Sequence, residues 1–295
     1  MTGQIAVTGA NGNLGMRSIS TLGIDRVRAL VRSERAKQDL LARFEGLDVR
    51  VVDYTDANSL SAALEDCETV VHLVGIIKQT RHSSYENAHE KSCAALVEAL
   101  PASVKHLIYL SIVGSHAGST NACLASKGRA EDILLKANAA VIVLQVPMVL
   151  GEGDYASAAL KRNASKPRAM TFRAASLEQP IYAGDVVEAI QAAAKLHTSA
   201  RLQLAGPESL SRAALIQRAA AVYGNQVQVT SLPIGLGMML AWCFERLANP
   251  PVTRAMLGVL DHDDDLDSQA AIEQLKINLT PLDDAAIGAA ELNQL

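Results

Sequence analysis

Ser111, Cys123 and Lys127 are the residues whose types and spacing could do chemistry. A hydroxyl closes the apolar run YLS at 109–111, and NACLASK at 121–127 sets a thiol and an ammonium four residues apart. On a helix that spacing puts both groups on one face. An ammonium there can donate to sugar hydroxyls, and it can draw a neighbouring thiol toward a partial thiolate. Three readings stay open for Cys123, in this order: a small apolar residue packed beside a bound ring, a redox-sensing thiol, and an acid/base group.

A second constellation lies near the start, in AVTGANGNLGMRS from Ala6 to Ser18. Gly9, Gly12 and Gly15 follow an apolar run and open a helical one. Without β-carbons the backbone can turn tightly and approach a pyrophosphate held by helix N-terminal N–H groups. Asn11, Asn13 and Leu14 fill the loop between them. Such a spacing is weak by itself, and its place at a first strand-to-helix junction gives it weight.

The elements that must position these groups are legible as alternation. Short β-branched runs at 4–8, 27–31, 48–53, 69–75, 106–111 and 140–147 are separated by stretches with helical apolar spacing, SLSAALEDC, YENAHEKSCAALVEAL and KGRAEDILLKAN. That order predicts an α/β fold, a doubly wound parallel sheet of Rossmann type covered on both faces. After Pro147 the pattern loosens into a loop-rich stretch over 151–180. A helix at DVVEAIQAAAKL, a strand at RLQLA, a helix at LSRAALIQRAAAVYG and a mostly helical tail follow. The expected division is a nucleotide-binding domain over 1–200, with 151–180 as an excursion, and a smaller substrate or partner region over 201–295.

Composition limits the partners. The 295 residues carry a net charge of -4, and aromatics are only 3%. No long basic stripe is present to neutralise phosphates, so nucleic acid is not an expected partner. The cysteines at 67, 93, 123 and 243 form no Cys-x-x-Cys pair and have no histidine at ligand spacing, which predicts reduced thiols and no metal. DHDDD at 261–265 lacks the glycine and terminal glutamate of a calcium loop and reads as a solvated acidic turn. The chain opens directly into a strand, so no signal peptide is expected. The longest apolar stretch, LPIGLGMMLAWCF at 232–244, falls short of the ~18 residues that a membrane span needs. The expected location is cytoplasmic, and the expected state is a monomer.

The nucleotide is read at the second strand. A carboxylate at its end would bind the ribose 2'-hydroxyl of NAD, whereas an arginine can pair with the 2'-phosphate of NADP. LVRSER offers Arg32 there, with the Ser33 hydroxyl and Arg35 close by and Glu34 arguing the other way. NADP(H) is expected over NAD(H). Asp53, at the end of the third strand, is placed to meet the adenine edge, or else it caps the helix starting near Ala57; Tyr54 beside it is expected to contact the cofactor.

TGANGNLG, the strand-ending Arg32, VVDYTD, HLVG and the Ser111-to-Lys127 segment together resemble the atypical short-chain dehydrogenase/reductase superfamily, which includes NAD-dependent epimerase- and dehydratase-like proteins. HLVGIIKQ with SYENAH, QPIYAGDVVEAI, and NPPVTRAMLGVLDHDD are similar to the branch holding the Rossmann-type accessory subunit of respiratory complex I and its bacterial relatives. The resemblance implies bound NADPH at Leu73, Val74, Gly75, Ser111 and Lys127 as well, a nicotinamide wall of Pro147, Met148 and Val149, and attachment to a membrane-associated partner without established turnover.

In catalytic members of the superfamily a tyrosine stands where this chain has Cys123. The thiol is too short to reach a phenol's position. Tyr85 is the better substitute, because Tyr109 lies deeper in its strand. Relatives often carry an arginine at the position of Gln145. The resemblance therefore implies either a binding component of a respiratory or quinone-related complex, or a reductase or epimerase with a relocated acid/base. Trp242, Arg246 and Arg254 add an expectation of peripheral membrane contact through 232–260.

Overall fold

The computed structural model describes residues 3–247, 249–259 and 261–283. In chain order the elements are β1 (Gln4–Thr8), α1 (Asn13–Leu22), β2 (Val27–Val31), α2 (Glu34–Arg43), β3 (Asp48–Val51), α3 (Ala57–Leu64), β4 (Cys67–His72), a π-helical turn (Glu86–Lys91), α4 (Ser92–Ala99), β5 (His106–Ile112), α5 (Ala122–Leu134) and β6 (Ala140–Val146). They continue with β7 (Val149–Leu150), α6 (Tyr155–Ala164), β8 (Arg168–Phe172), β9 (Leu177–Glu178), β10 (Ile181–Tyr182), α7 (Ala183–Ala193), β11 (Ala200–Gln203), β12 (Leu210–Ser211), α8 (Arg212–Val222), β13 (Gln228–Leu232), α9 (Ile234–Phe244), α10 (Arg254–Val259) and α11 (Gln269–Leu275).

Seven strands form one sheet in the order β11-β6-β5-β4-β1-β2-β3, and the pairings of β1 with β2, β1 with β4, β2 with β3 and β4 with β5 are parallel. The strand order reverses between β1 and β4, where the glycine loop leaves β1. In open α/β sheets that switch point is where ligands bind.

Local chemistry sets the boundaries. Ser33 caps α2 by accepting from Ala36 N, and Asp56 caps α3 through Asn58 N and Ser59 N. Asp53 is therefore not the cap: its carboxylate accepts from Thr55 N and Thr55 Oγ1 in an Asx turn. Asn121 accepts from Cys123 N and Leu124 N, which starts α5 at Ala122, five residues before the run that periodicity alone suggests. Both Cys123 and Lys127 thereby stand on its first turns. β6 stops at Val146, since Pro147 has no N–H for the ladder. The apolar runs are otherwise trimmed, β3 ending at Val51 and β4 at His72, so Leu73–Gly75 is loop.

Contacts divide the chain into two units: residues 1–76, 83–145 and 187–202, and residues 77–82, 146–186 and 203–295. The division is interleaved where a linear one was expected near 200. The 151–180 stretch belongs with the C-terminal part, because β8 pairs with β13 and β9 with β12. Residues 1, 2 and 284–295 of the expected domains lie outside the described residues, as do Ala248 and Leu260 of the 232–260 segment.

Within the second unit the acidic run differs from the solvated turn expected. Asp261 and Asp263 pair with Arg173, and Asp263 also accepts from Ser176 Oγ and Leu177 N at 2.7 and 3.0 Å. Asp264 is buried and its N–H bonds Leu177 O, while the Gln179 amide brackets Leu266. Strand-edge groups of β9 need partners, and this segment supplies them. Among the described residues no group of three or more His, Cys, Asp or Glu side chains could hold a metal ion.

Candidate functional site

The glycine loop has the shape a dinucleotide needs. Gly9 has φ +67, and a β-carbon there would lie 3.3 Å from Leu73 backbone. Gly12 N donates to Gly9 O at 2.9 Å. A β-carbon on Gly15 would lie 2.6 Å from the carbonyl oxygens of Gly9 and Ala10, so helix and loop can pack only with glycine. Gly12 precedes α1 without any side-chain cap, which suits a helix end that receives an anion. Asn11 is exposed on the loop, and Asn13 and Leu14 open the helix. The residues present fit a dinucleotide.

Thr8 Oγ1 lies 2.8 Å from His72 Nδ1 and accepts from Leu73 N at 3.3 Å, which locks the ends of β1 and β4 together. Tyr54, expected to contact the cofactor, turns its hydroxyl to the backbone, where it accepts from Gly9 N at 2.8 Å and donates to Leu30 O at 2.6 Å. Burial raises this phenol to about 12. Arg32 is exposed at the end of β2 and makes no ion pair among the described residues. Ser33, though accepting from Ala36 N as a cap, keeps its O–H to donate. Glu34 occupies the first turn of α2, where a helix N-terminus favours an acid, and Arg35 pairs loosely with Asp39 at 4.0 Å.

Lys127 is 6% exposed, and its Nζ donates to Leu110 O at 2.8 Å and sits 4.4 Å from the Tyr109 ring centroid. A β-carbon on Gly75 would come within 3.0 Å of Nζ, so the loop after β4 passes directly over the ammonium. Burial lowers this lysine to about 8. Cys123 is 0% exposed, donates to Ile76 O at 3.6 Å, and is hydrogen-bonded by the Tyr85 side chain. Burial pushes its thiol up to about 11 in spite of Lys127. The partial thiolate expected beside Lys127 is not favoured here, because desolvation outweighs the nearby charge.

Tyr85 is 4% exposed and stacks on His89, with ring centroids 5.6 Å apart. His89 Nε2 lies 3.1 Å from both Ile76 N and Ile76 O, so the π-helical turn grips the loop after β4. Tyr109 is fully buried, and burial raises its phenol well above the ordinary value.

Ser111 is turned to a different task from substrate orientation. Its hydroxyl donates to Glu131 Oε1 at 2.5 Å. Glu131, also buried, accepts from Gln145 Nε2 at 3.0 Å and from Arg201 Nε at 3.0 Å. The cation for this buried carboxylate comes from β11 through Arg201. Thr8, His72, His89, Glu131 and Arg201 were not singled out from the sequence. Only His89 had a signal there, four residues after Tyr85. Pro147, Met148 and Val149 belong to the second unit, where Met148 O accepts from Ile181 N at 2.9 Å and Val149 pairs with Ile181.

The two histidines make the site acid-sensitive. His72 and His89 are lowered from 6.5 to about 3, by burial first and then by the Lys127 charge. A group with a depressed folded pKa stabilises above its unfolded pKa and loses that contribution as pH falls. Stability is expected to decline below pH 6.5, by about 2 kcal/mol per histidine at pH 5. Urea unfolding at pH 7 and pH 5 measures this, and equal midpoints would contradict it.

The chain is similar to known proteins in sequence and in fold. A family described as NAD(P)H-binding matches residues 9–175, more than half of the chain. A ceramide reductase of Caulobacter vibrioides is 28% identical over 156 residues, 52% of this chain and 48% of that protein. The NADH dehydrogenase [ubiquinone] 1 alpha subcomplex subunit 9, mitochondrial, of Arabidopsis thaliana is 27% identical over 165 residues, 53% of this chain and 40% of that protein. The aligned part is thus under half the length of each. In fold, the chain matches a UDP-N-acetylglucosamine 4-epimerase from Bacillus cereus with TM-score 0.73 at 17% identity, covering 99% of both chains. A nucleoside-diphosphate-sugar epimerase from Staphylococcus aureus gives TM-score 0.73 at 18% identity, covering 96% of this chain and 99% of that one.

Proposed function

The chain belongs to the NAD(P)H-binding family, and from that premise we propose that it is an NADP(H)-binding component that turns over little or nothing and works at a membrane surface or on a membrane-associated complex. The observation that carries this reading is the enclosed thiol at Cys123. A group 0% exposed with a pKa of about 11 neither reaches a substrate oxygen nor exchanges a proton readily at neutral pH. Lys127 is sufficient for ribose binding without chemistry. Arg32 supports NADP(H) over NAD(H).

The membrane part rests on α9. The helix carries no charge from Ile234 to Phe244, and of its residues only Gly237 and Ala241 are buried. Met239 and Trp242 are 57% and 49% exposed, with Leu236, Leu240 and Leu247 also outward. Arg246 stacks on Trp242 with its guanidinium 3.8 Å from the ring centroid. Arg254 is not a free headgroup cation as expected, since Glu245 pairs with it at 2.8 Å. Among the described residues no helix is long and apolar enough to cross a membrane, so the contact would be interfacial. The test is flotation of the NADPH-loaded protein with vesicles containing anionic lipid. Trp242 emission is expected to shift blue on binding, and added salt to reverse it. Protein that stays at the bottom of the gradient at low salt, with unchanged emission, would refute the surface role.

A second reading is favoured by one observation. The Tyr85 side chain hydrogen-bonds the Cys123 sulfur, so a phenol does approach the expected acid/base position from the π-helical turn. On that reading the protein is an NADPH-dependent reductase or epimerase-like enzyme, and the ceramide reductase similarity makes a long-chain carbonyl compound the first substrate class to try.

A further inference from the structure

The hydroxyl of Tyr54 touches two segments that, with NADP(H) in the loop, would meet its pyrophosphate and its adenosine 2'-phosphate. One is the Gly9 turn, whose N–H it accepts at 2.8 Å, and the other is the end of β2, where Leu30 O accepts its proton at 2.6 Å. Ala10 N also leans on Leu30 O at 3.4 Å. Leu30 is two residues before Arg32, and the Arg32 charge is near enough to act on the Tyr54 phenol. The ring itself packs against the core cluster that includes Leu30, Val52 and Leu60, so the hydroxyl has little freedom to leave.

We infer that Tyr54 is a positioning residue that holds the pyrophosphate-binding glycine turn at a set distance from the arginine that selects the 2'-phosphate. Gly9 sits in the left-handed region, and its N–H has no strand or helix acceptor. A phenol that accepts from it and donates onward satisfies both backbone groups with one oxygen. Phenylalanine would keep the ring packing, leave that N–H unpaired and take from Leu30 O its shorter partner, with Ala10 N at 3.4 Å remaining. The glycine turn could then relax independently of β2. A ligand that spans both sites would lose affinity, whereas one that touches only the arginine would not.

This inference rests on the reading that NADP(H) occupies the loop, and wild-type titration with NADP+ tests that separately. The experiment compares NADP+ and adenosine 2'-monophosphate by calorimetry on wild-type protein and Tyr54→Phe. NADP+ is expected to weaken about tenfold in the variant, with adenosine 2'-monophosphate changed less than about twofold. Equal losses for both ligands would mean general damage, and no loss for NADP+ would mean that the hydroxyl is idle. Either result overturns the inference. Should Tyr54→Phe fail to fold, amide exchange in the unliganded wild-type protein decides. Gly9 N–H is expected to be protected, and exchange at the rate of an open loop would overturn the proposal. Absence of NADP+ binding by the wild type would instead remove the nucleotide reading itself.

Discussion

NADPH mixed with the protein and a panel of carbonyl or sugar-nucleotide substrates is expected to be consumed roughly 100- to 10,000-fold more slowly than a positioned general acid would allow. Three features of the site act together. The side chain one turn before Lys127 is a thiol held at about 11 and closed off from solvent. The phenol bonded to that sulfur, Tyr85, is 4% exposed. The Ser111 proton is committed to Glu131 at 2.5 Å, so the hydroxyl that would orient a substrate is held by a buried carboxylate. Absorbance at the reduced-nicotinamide band, followed in single-turnover conditions, is the measurement. A brisk rate that survives Cys123→Ala and vanishes in Tyr85→Phe would show that the acid/base group has moved, and would favour the reductase reading.

Titration of the four nicotinamide dinucleotides is expected to show a tenfold to hundredfold preference for the 2'-phosphorylated pair, the range that charged hydrogen bonds at a partly exposed site can provide. Among the described residues Arg32 makes no ion pair that must be broken before it meets a phosphate. Ser33 can donate its proton while its oxygen caps α2. The acid beside them, Glu34, is explained by its place in the first turn of α2 rather than by a ribose. Arg32→Ala should remove most of the preference while leaving NADH affinity within about twofold, because the non-phosphorylated nucleotide never used the guanidinium. Equal affinities for all four in the wild type, or an unchanged preference in the variant, would overturn the assignment. Salt separates this contact from α9, since a 2'-phosphate pair weakens with ionic strength in the absence of any vesicle.

What the sequence by itself determined are properties written into neighbouring residues. β-branched runs alternating with helical spacing dictated a parallel sheet, and the glycines at 9, 12 and 15 dictated the tight turn between β1 and α1, since period and missing β-carbons are local facts. Arg32 followed from its position at a strand end, and the Cys123–Lys127 pair from a four-residue step.

Tertiary structure alone decided what each polar atom does, because the partner arrives from a distant segment. Tyr54 is 45 residues from Gly9 and read as a cofactor contact, and its oxygen serves the backbone. Ser111 is 20 residues from Glu131, and Glu131 is 70 from the arginine that neutralises it. Cys123 lies beside an ammonium in the helix, which suggests a thiolate. Packing under Ile76 and Tyr85 removes water from the sulfur, and loss of hydration outweighs one nearby charge. The apolar run at 234–244 shows the same limit in reverse. Its composition suits a buried helix equally well, and only the packing around it leaves Met239 and Trp242 in solvent.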